Sequence, residues 1–216
     1  NRTAGTVMLV SGIVLTVLAV LPLLLPSGAG AQVVWDVPSM MHPGAPAGLS
    51  VLLAEAHPGD GLGALALWRR SAAPVGVGFR AGVTEQDVSP GSDEDDVAAV
   101  FGLDVSGTLA ELEGAGEPQV MWWTGAGLGV GDDLLVSFPA GLVIGWRARE
   151  ESVSFMPYVG GHLALDVRTG DGDDLELDGT VDLGLDLSFD DRFTVRFGAA
   201  VGDRDALAIG VHFPTG

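Results

Sequence analysis

Residues 97–109 alternate. Val97, Ala99, Phe101, Leu103, Val105, Gly107 and Leu109 hold the odd positions, and from Gly102 onward Asp104, Ser106 and Thr108 hold the even ones. Successive side chains of a strand point to opposite faces, so this segment has one apolar face and one small, polar face. The period recurs. Residues 75–85 set Val75, Val77, Phe79, Ala81 and Val83 against Gly76, Gly78, Arg80, Gly82 and Thr84. Residues 180–189 set Val181, Leu183, Leu185, Leu187 and Phe189 against Asp182, Gly184, Asp186 and Ser188. Reading alternation bounded by turn residues predicts about ten strands: 48–57, 62–70, 75–85, 97–109, 119–131, 135–147, 153–168, 180–189, 193–201 and 206–213. Eight is the alternative count.

Most connections between these strands are short, and short connections pair strands with their sequence neighbours as an antiparallel meander. Closure removes the two free edges of such a sheet. The expected fold is all-β: an antiparallel up-and-down barrel. The polar face decides its environment. A water-facing side carries long Glu, Lys and Gln, whereas this one is mostly Gly, Ser and Thr with a few charges. Small residues suit the crowded inside of a narrow barrel. Arg80, Asp104, Arg147, Asp166, Asp182, Asp186 and Arg196 are read as a lumen charge network. The aliphatic face then turns outward to lipid, over strands of about 9–11 residues, enough to span a hydrocarbon layer when tilted.

Strand parity supports this orientation. With the N-terminal end of the barrel at the periplasmic side, Trp68, Trp122, Trp146, Phe155, Phe189, Phe193 and Phe213 all fall near strand ends on one rim, as an interfacial aromatic girdle requires. The acidic loops 86–96 and 169–177 fall on the opposite, external rim.

Upstream, residues 6–25 are almost unbroken apolar behind Arg2, and Ala29-Gly30-Ala31 offers a small-x-small cleavage site. Residues 1–31 are read as a signal-peptide helix cleaved near Ala31, so the chain is exported. Residues 32–47, with Pro38, Pro43 and Pro46, are expected to be irregular and packed at one barrel mouth. The barrel is assigned to 48–213 and a tail to 214–216.

Composition narrows the functions. Net charge is −19, which disfavours nucleic acid and leaves cations or basic partners as candidates at the acidic loops. No cysteine is present, so disulfides, thiolate metal sites and cysteine nucleophiles are excluded. No cofactor is expected. Gly125, Gly127 and Gly129 repeat with the strand period and pave one face, unlike a phosphate loop. Asp171, Asp173, Asp174 and Glu176 form a weak calcium candidate without helix–loop–helix spacing. His162 and Asp166 share the polar face of one strand, the one arrangement open to acid–base chemistry.

The end of the barrel carries a resemblance. Leu207, Ile209, Val211 and Phe213 alternate and finish on an aromatic, similar to the C-terminal signature of bacterial outer-membrane barrels. The tail Pro214-Thr215-Gly216 departs from it, since the aromatic is usually last. From residue 48 onward the chain resembles the broad class of small outer-membrane β-barrel proteins, with no subfamily assigned. That resemblance implies a porin-like barrel in the bacterial outer membrane, with the lipid bilayer and the outer-membrane assembly machinery as partners. The expected role is structural, adhesive or that of a narrow pore, without catalysis. The rival reading is an exported soluble barrel that binds an apolar ligand inside, its aliphatic face turned inward.

Overall fold

The computed structural model describes residues 34–56, 61–70, 75–87, 95–111, 118–131, 134–150, 153–169, 174–189 and 192–215. The expected leader lies outside the described residues. The strands are β1 Gly48–Ala56, β2 Leu62–Arg70, β3 Val75–Asp87, β4 Asp95–Glu111, β5 Gln119–Val130, β6 Leu134–Gly145, β7 Ala148–Glu150, β8 Val153–Thr169, β9 Asp174–Phe189, β10 Phe193–Gly202 and β11 Ala206–Pro214. All pairings are antiparallel, most of them between neighbours in the chain, and β1 pairs with β11 from Gly48↔Pro214 to Ala56↔Ala206. β6 pairs with β8, and the three-residue β7 continues β6 past a break at Trp146-Arg147. The result is a closed barrel of ten long strands. Closure satisfies the ladder groups that an open sheet would leave free at β1 and β11.

The alternation sorts the side chains radially. In β1, Leu49, Val51 and Leu53 face out, while Ser50, Leu52 and Ala54 are buried. In β9, Val181 faces out, while Asp182 and Asp186 are buried. The outward set is aliphatic and aromatic around the whole circumference, with Val51, Leu53, Val83, Phe101, Leu142, Leu163 and Ile209 each close to half exposed. The rival arrangement, an aliphatic face turned inward around a cavity, is not the one this sheet adopts.

The two acidic loops are shorter than expected. β3 runs to Asp87 and β4 starts at Asp95, so the first connection is 88–94. β9 starts at Asp174, because Leu175 and Leu177 keep the outward period while Asp178 turns inward. Arg147 is a further correction. The ladder of β6 stops at Gly145, so Arg147 sits on the rim with its side chain exposed instead of entering the lumen.

The larger correction concerns the segment before β1. It does not cap a mouth. Val34 through Pro43 are all buried, and they run down the inside of the barrel. Val34 and Val37 pack on Leu135, Ala200 and Ala206, at one end. A Cβ on Gly145, at the other end, would stand 3.3 Å from Pro43. The segment makes few backbone hydrogen bonds of its own among the described residues, Val37 N to Val34 O and Ala45 N to His42 O. Its polar main chain must therefore be met by the barrel wall.

The outward face gives a direct test. Arginine in place of Ile209, half exposed in the middle of β11, should cost about 2–4 kcal/mol if that face meets the bilayer centre. Urea titration of the protein folded in lipid vesicles reads this difference, and an unchanged midpoint would contradict a lipid-facing position.

Candidate functional site: a lumen filled by the chain's own N-terminal segment

Three layers of contact fix the segment. At the mouth formed by the β10–β11 turn, Arg204 reaches inward. Its Nε donates to Asp178 Oδ2 at 2.7 Å and its Nη1 to Asp36 at 3.2 Å, while its Nη2 is bonded to Asp166. Burial disfavours the Arg204 charge, but Asp36, Asp166 and Asp178 outweigh it and hold the guanidinium pKa above its ordinary value. One plug residue and two barrel strands thus share a single cation.

Beside this cluster the Trp35 indole lies on a glycine floor. A Cβ on Gly102 would overlap the ring's Cε3, one on Gly127 would overlap Nε1, and one on Gly125 would stand 2.6 Å from Cη2, each a clash. These glycines exist for space, since only a residue without a side chain leaves room for an indole against the strand. Trp35 and Met40 also meet Leu52, Ala54, Leu65 and Val100, an apolar stretch of the inner wall on β1, β2 and β4.

The middle layer is a turn. Met40 has a φ of +47°, the left-handed region that a side chain rarely adopts. Around it, successive carbonyls meet two buried guanidiniums. Arg80 Nη1 donates to Pro38 O at 3.1 Å and Nη2 to Ser39 O at 2.6 Å. Arg196 Nη2 donates to Met40 O at 2.6 Å, and its Nε to Asp186 Oδ1 at 3.2 Å. In the opposite sense, Ser39 N donates to Asp182 Oδ1 at 3.0 Å. Asp182 Oδ2 also meets His162 Nδ1 at 2.7 Å, and the His162 ring lies 5.2 Å from that of Trp123.

Lower down, His42 Nε2 meets Asp186 Oδ2 at 2.8 Å, and the ring packs against Tyr158 with centroids 5.6 Å apart. Arg69 is bonded to Asp104 and donates to Ser106 Oγ at 2.9 Å and Met41 Sδ at 2.6 Å. At the rim Arg147 Nη2 donates to Gly44 O at 3.3 Å.

The structure therefore brings Arg80, Asp104, Asp166, Asp182, Asp186 and Arg196 inside, each buried. It places Arg147 at the mouth. It adds Arg69, Arg204, Asp36 and His42, which the alternation alone did not single out, and it buries His162 on the polar face where the alternation placed it. Arg69 was legible, since it holds the inward parity of β2. Arg204 and Asp36 were not, because neither lies in a strand. His162 and Asp166 do not form a pair: His162 turns to Asp182 and Asp166 to Arg204. Four residues along a strand is about 13 Å, so a shared face does not place them in contact.

Trp68, Trp122, Trp146, Phe155, Phe189, Phe193 and Phe213 lie toward the end of the barrel where β1 begins. Leu49 pairs with both Trp68 and Phe213, and the rings of Phe189 and Phe193 stack at 5.2 Å. Phe79 joins them opposite Trp68. Of the calcium candidates, Asp171 and Asp173 lie outside the described residues, as does the side chain of Asp174, and Glu176 is exposed. Among the described residues no group of three or more His, Asp or Glu could hold a metal ion.

No family model matches the chain, and no curated protein does. Solved structures similar to it include the KdgM porin in complex with disordered oligogalacturonate, at 12% identity and a TM-score of 0.40, covering 78% of this chain and 99% of that one. Another is the β domain of the Bordetella autotransporter BrkA, at 14% identity and a TM-score of 0.46, covering 79% of this chain and 100% of that one. The class of the molecule follows from its own geometry: a closed ten-stranded antiparallel β-barrel, apolar outside and charged inside, the arrangement of a transmembrane barrel.

Removing Arg204 leaves three carboxylates without their shared cation. Arg204→Met should cost about 3–5 kcal/mol, and Arg204→Met with Asp36→Asn less than the sum of the two changes. Denaturant unfolding in detergent micelles measures the cycle, and strict additivity would show that Asp36 and Arg204 do not interact.

Proposed function

We propose that the chain is an integral β-barrel of the bacterial outer membrane whose lumen is stoppered by its own residues 34–43. It is a structural scaffold that holds acidic loops toward the environment, without a constitutively open pore. The buried segment is the observation that carries this reading. A barrel of about ten strands has little free interior, and here a ten-residue stretch with Trp35, Met40, Met41 and His42 fills it. The outward aliphatic band supplies the anchorage. The aromatic residues near the β1 end sit at the periplasmic interface, and Phe213 supplies the C-terminal aromatic that the assembly machinery reads. The acidic connections 88–94 and 170–173 meet cations or basic partners at the external mouth. No step of this role calls for catalysis.

Planar-bilayer recording tests the reading. The refolded full chain should give no steady current, and a variant lacking residues 34–46 should give discrete openings. Steady conductance of the intact chain would contradict a stopper. Gly127→Leu offers an independent check, because its side chain claims the space of the Trp35 indole. It should produce intermittent openings and raise the accessibility of tryptophan fluorescence to an aqueous quencher.

A further inference from the structure

The segment has a direction, and the direction has a consequence for the chain upstream. β1 begins at Gly48, paired with Pro214 of β11, and Thr215 N donates to Ala47 O at 2.9 Å. The entry to the barrel and its last strand therefore share one mouth. Followed backwards from there, the segment meets contacts at rising height. Gly44 meets Arg147 at that mouth. His42 meets Asp186, then Ser39 meets Asp182, four residues nearer the start of β9. Asp36 meets Arg204 in the turn between β10 and β11. Val34 packs on Leu135, Ala200 and Ala206, which flank the opposite mouth. The segment thus traverses the lumen from end to end.

We propose that the barrel carries its own N-terminal chain through the lumen, so that whatever precedes Val34 leaves at the mouth opposite the one where the barrel begins and ends. With the orientation taken under the proposed function, on which this inference rests for its absolute direction, that mouth is external. The barrel then displays its N-terminal end on the cell surface, beside the acidic connections, while the C-terminal end stays periplasmic. The contacts are arranged for retention at that exit. The Asp36–Arg204 cluster and the Trp35 socket both lie in the Val34 half of the lumen, and they oppose withdrawal toward the β1 mouth. Removal of a leader at Ala31 would leave the new amino terminus two residues before Val34.

Topology mapping in intact cells decides the matter. The full chain is made with an epitope inserted between Gln32 and Val33, with the same epitope in the 88–94 connection, or with it after Gly216. Heat-modifiable mobility on unboiled gels certifies folding of each. Antibody should label intact cells carrying the first two and reach the third only after permeabilisation. An N-terminal epitope that behaves like the C-terminal one would overturn the threading. If the N-terminal and 88–94 epitopes are both hidden while the C-terminal one is exposed, threading stands and the outer-membrane orientation falls. Should the insertion prevent folding, the absence of cysteine permits a second measurement on the untagged chain. Val34→Cys should cross-link oxidatively with Ala206→Cys and not with Thr215→Cys, and the reverse outcome sinks the proposal.

Discussion

Much of what lies inside this barrel follows from the four buried guanidinium groups among the described residues, those of Arg69, Arg80, Arg196 and Arg204, shut within a closed sheet. A charge removed from water is costly unless hydrogen bonds and opposite charge surround it. The wall alone does not complete that set. Arg69 has Asp104, and Arg196 has Asp186. Arg204 draws one of its three carboxylates from Asp36, outside the strands. Arg80 is answered by the carbonyls of Pro38 and Ser39. The N-terminal segment is thus a structural member of the lumen, and its irregular backbone suits the task. A helix would spend its carbonyls on itself and a strand on a neighbour, whereas a turn with Met40 in the left-handed region leaves three in a row to face Arg80 and Arg196.

The same segment explains the composition of the wall. The inner surface is uneven. β4 and β5 present glycine where Trp35 lies, and β1 and β2 present Leu52 and Leu65 toward the apolar side chains of the segment. β9 and β10 present Asp182, Asp186 and Arg196 toward its polar main chain and His42. Outer and inner faces obey different rules. The outer face needs only to be apolar, and any aliphatic side chain satisfies it. The inner face is a mould, in which individual positions are fixed by what the segment places against them.

The fold was legible because a strand has a period of two, and a barrel has a definite inside and outside. Alternation placed ten strands, set Leu183 and Asp182 on opposite faces, and gave Arg80, Asp104, Asp186 and Arg196 a common side. It failed where the ladder stops. Arg147 has the parity of an inward residue, yet β6 releases the chain at Gly145 and the side chain stays on the rim. The acidic loop 169–177 takes in the first residues of β9, because the acidic run obscures the alternation of Leu175 and Leu177 that carries the strand back to Asp174.

The amino-acid sequence by itself determined the barrel, its handedness of polarity and the residues that face inward, because each is written in local alternation. It did not determine the occupant of the lumen. Residues 34–43 have no period, and their partners lie far along the chain: Ser39 with Asp182, His42 with Asp186, Asp36 with Arg204. Such pairings exist only once the strands have closed into a ring of fixed width, since that ring alone brings a proline-rich stretch, a glycine floor and four arginines within reach of one another.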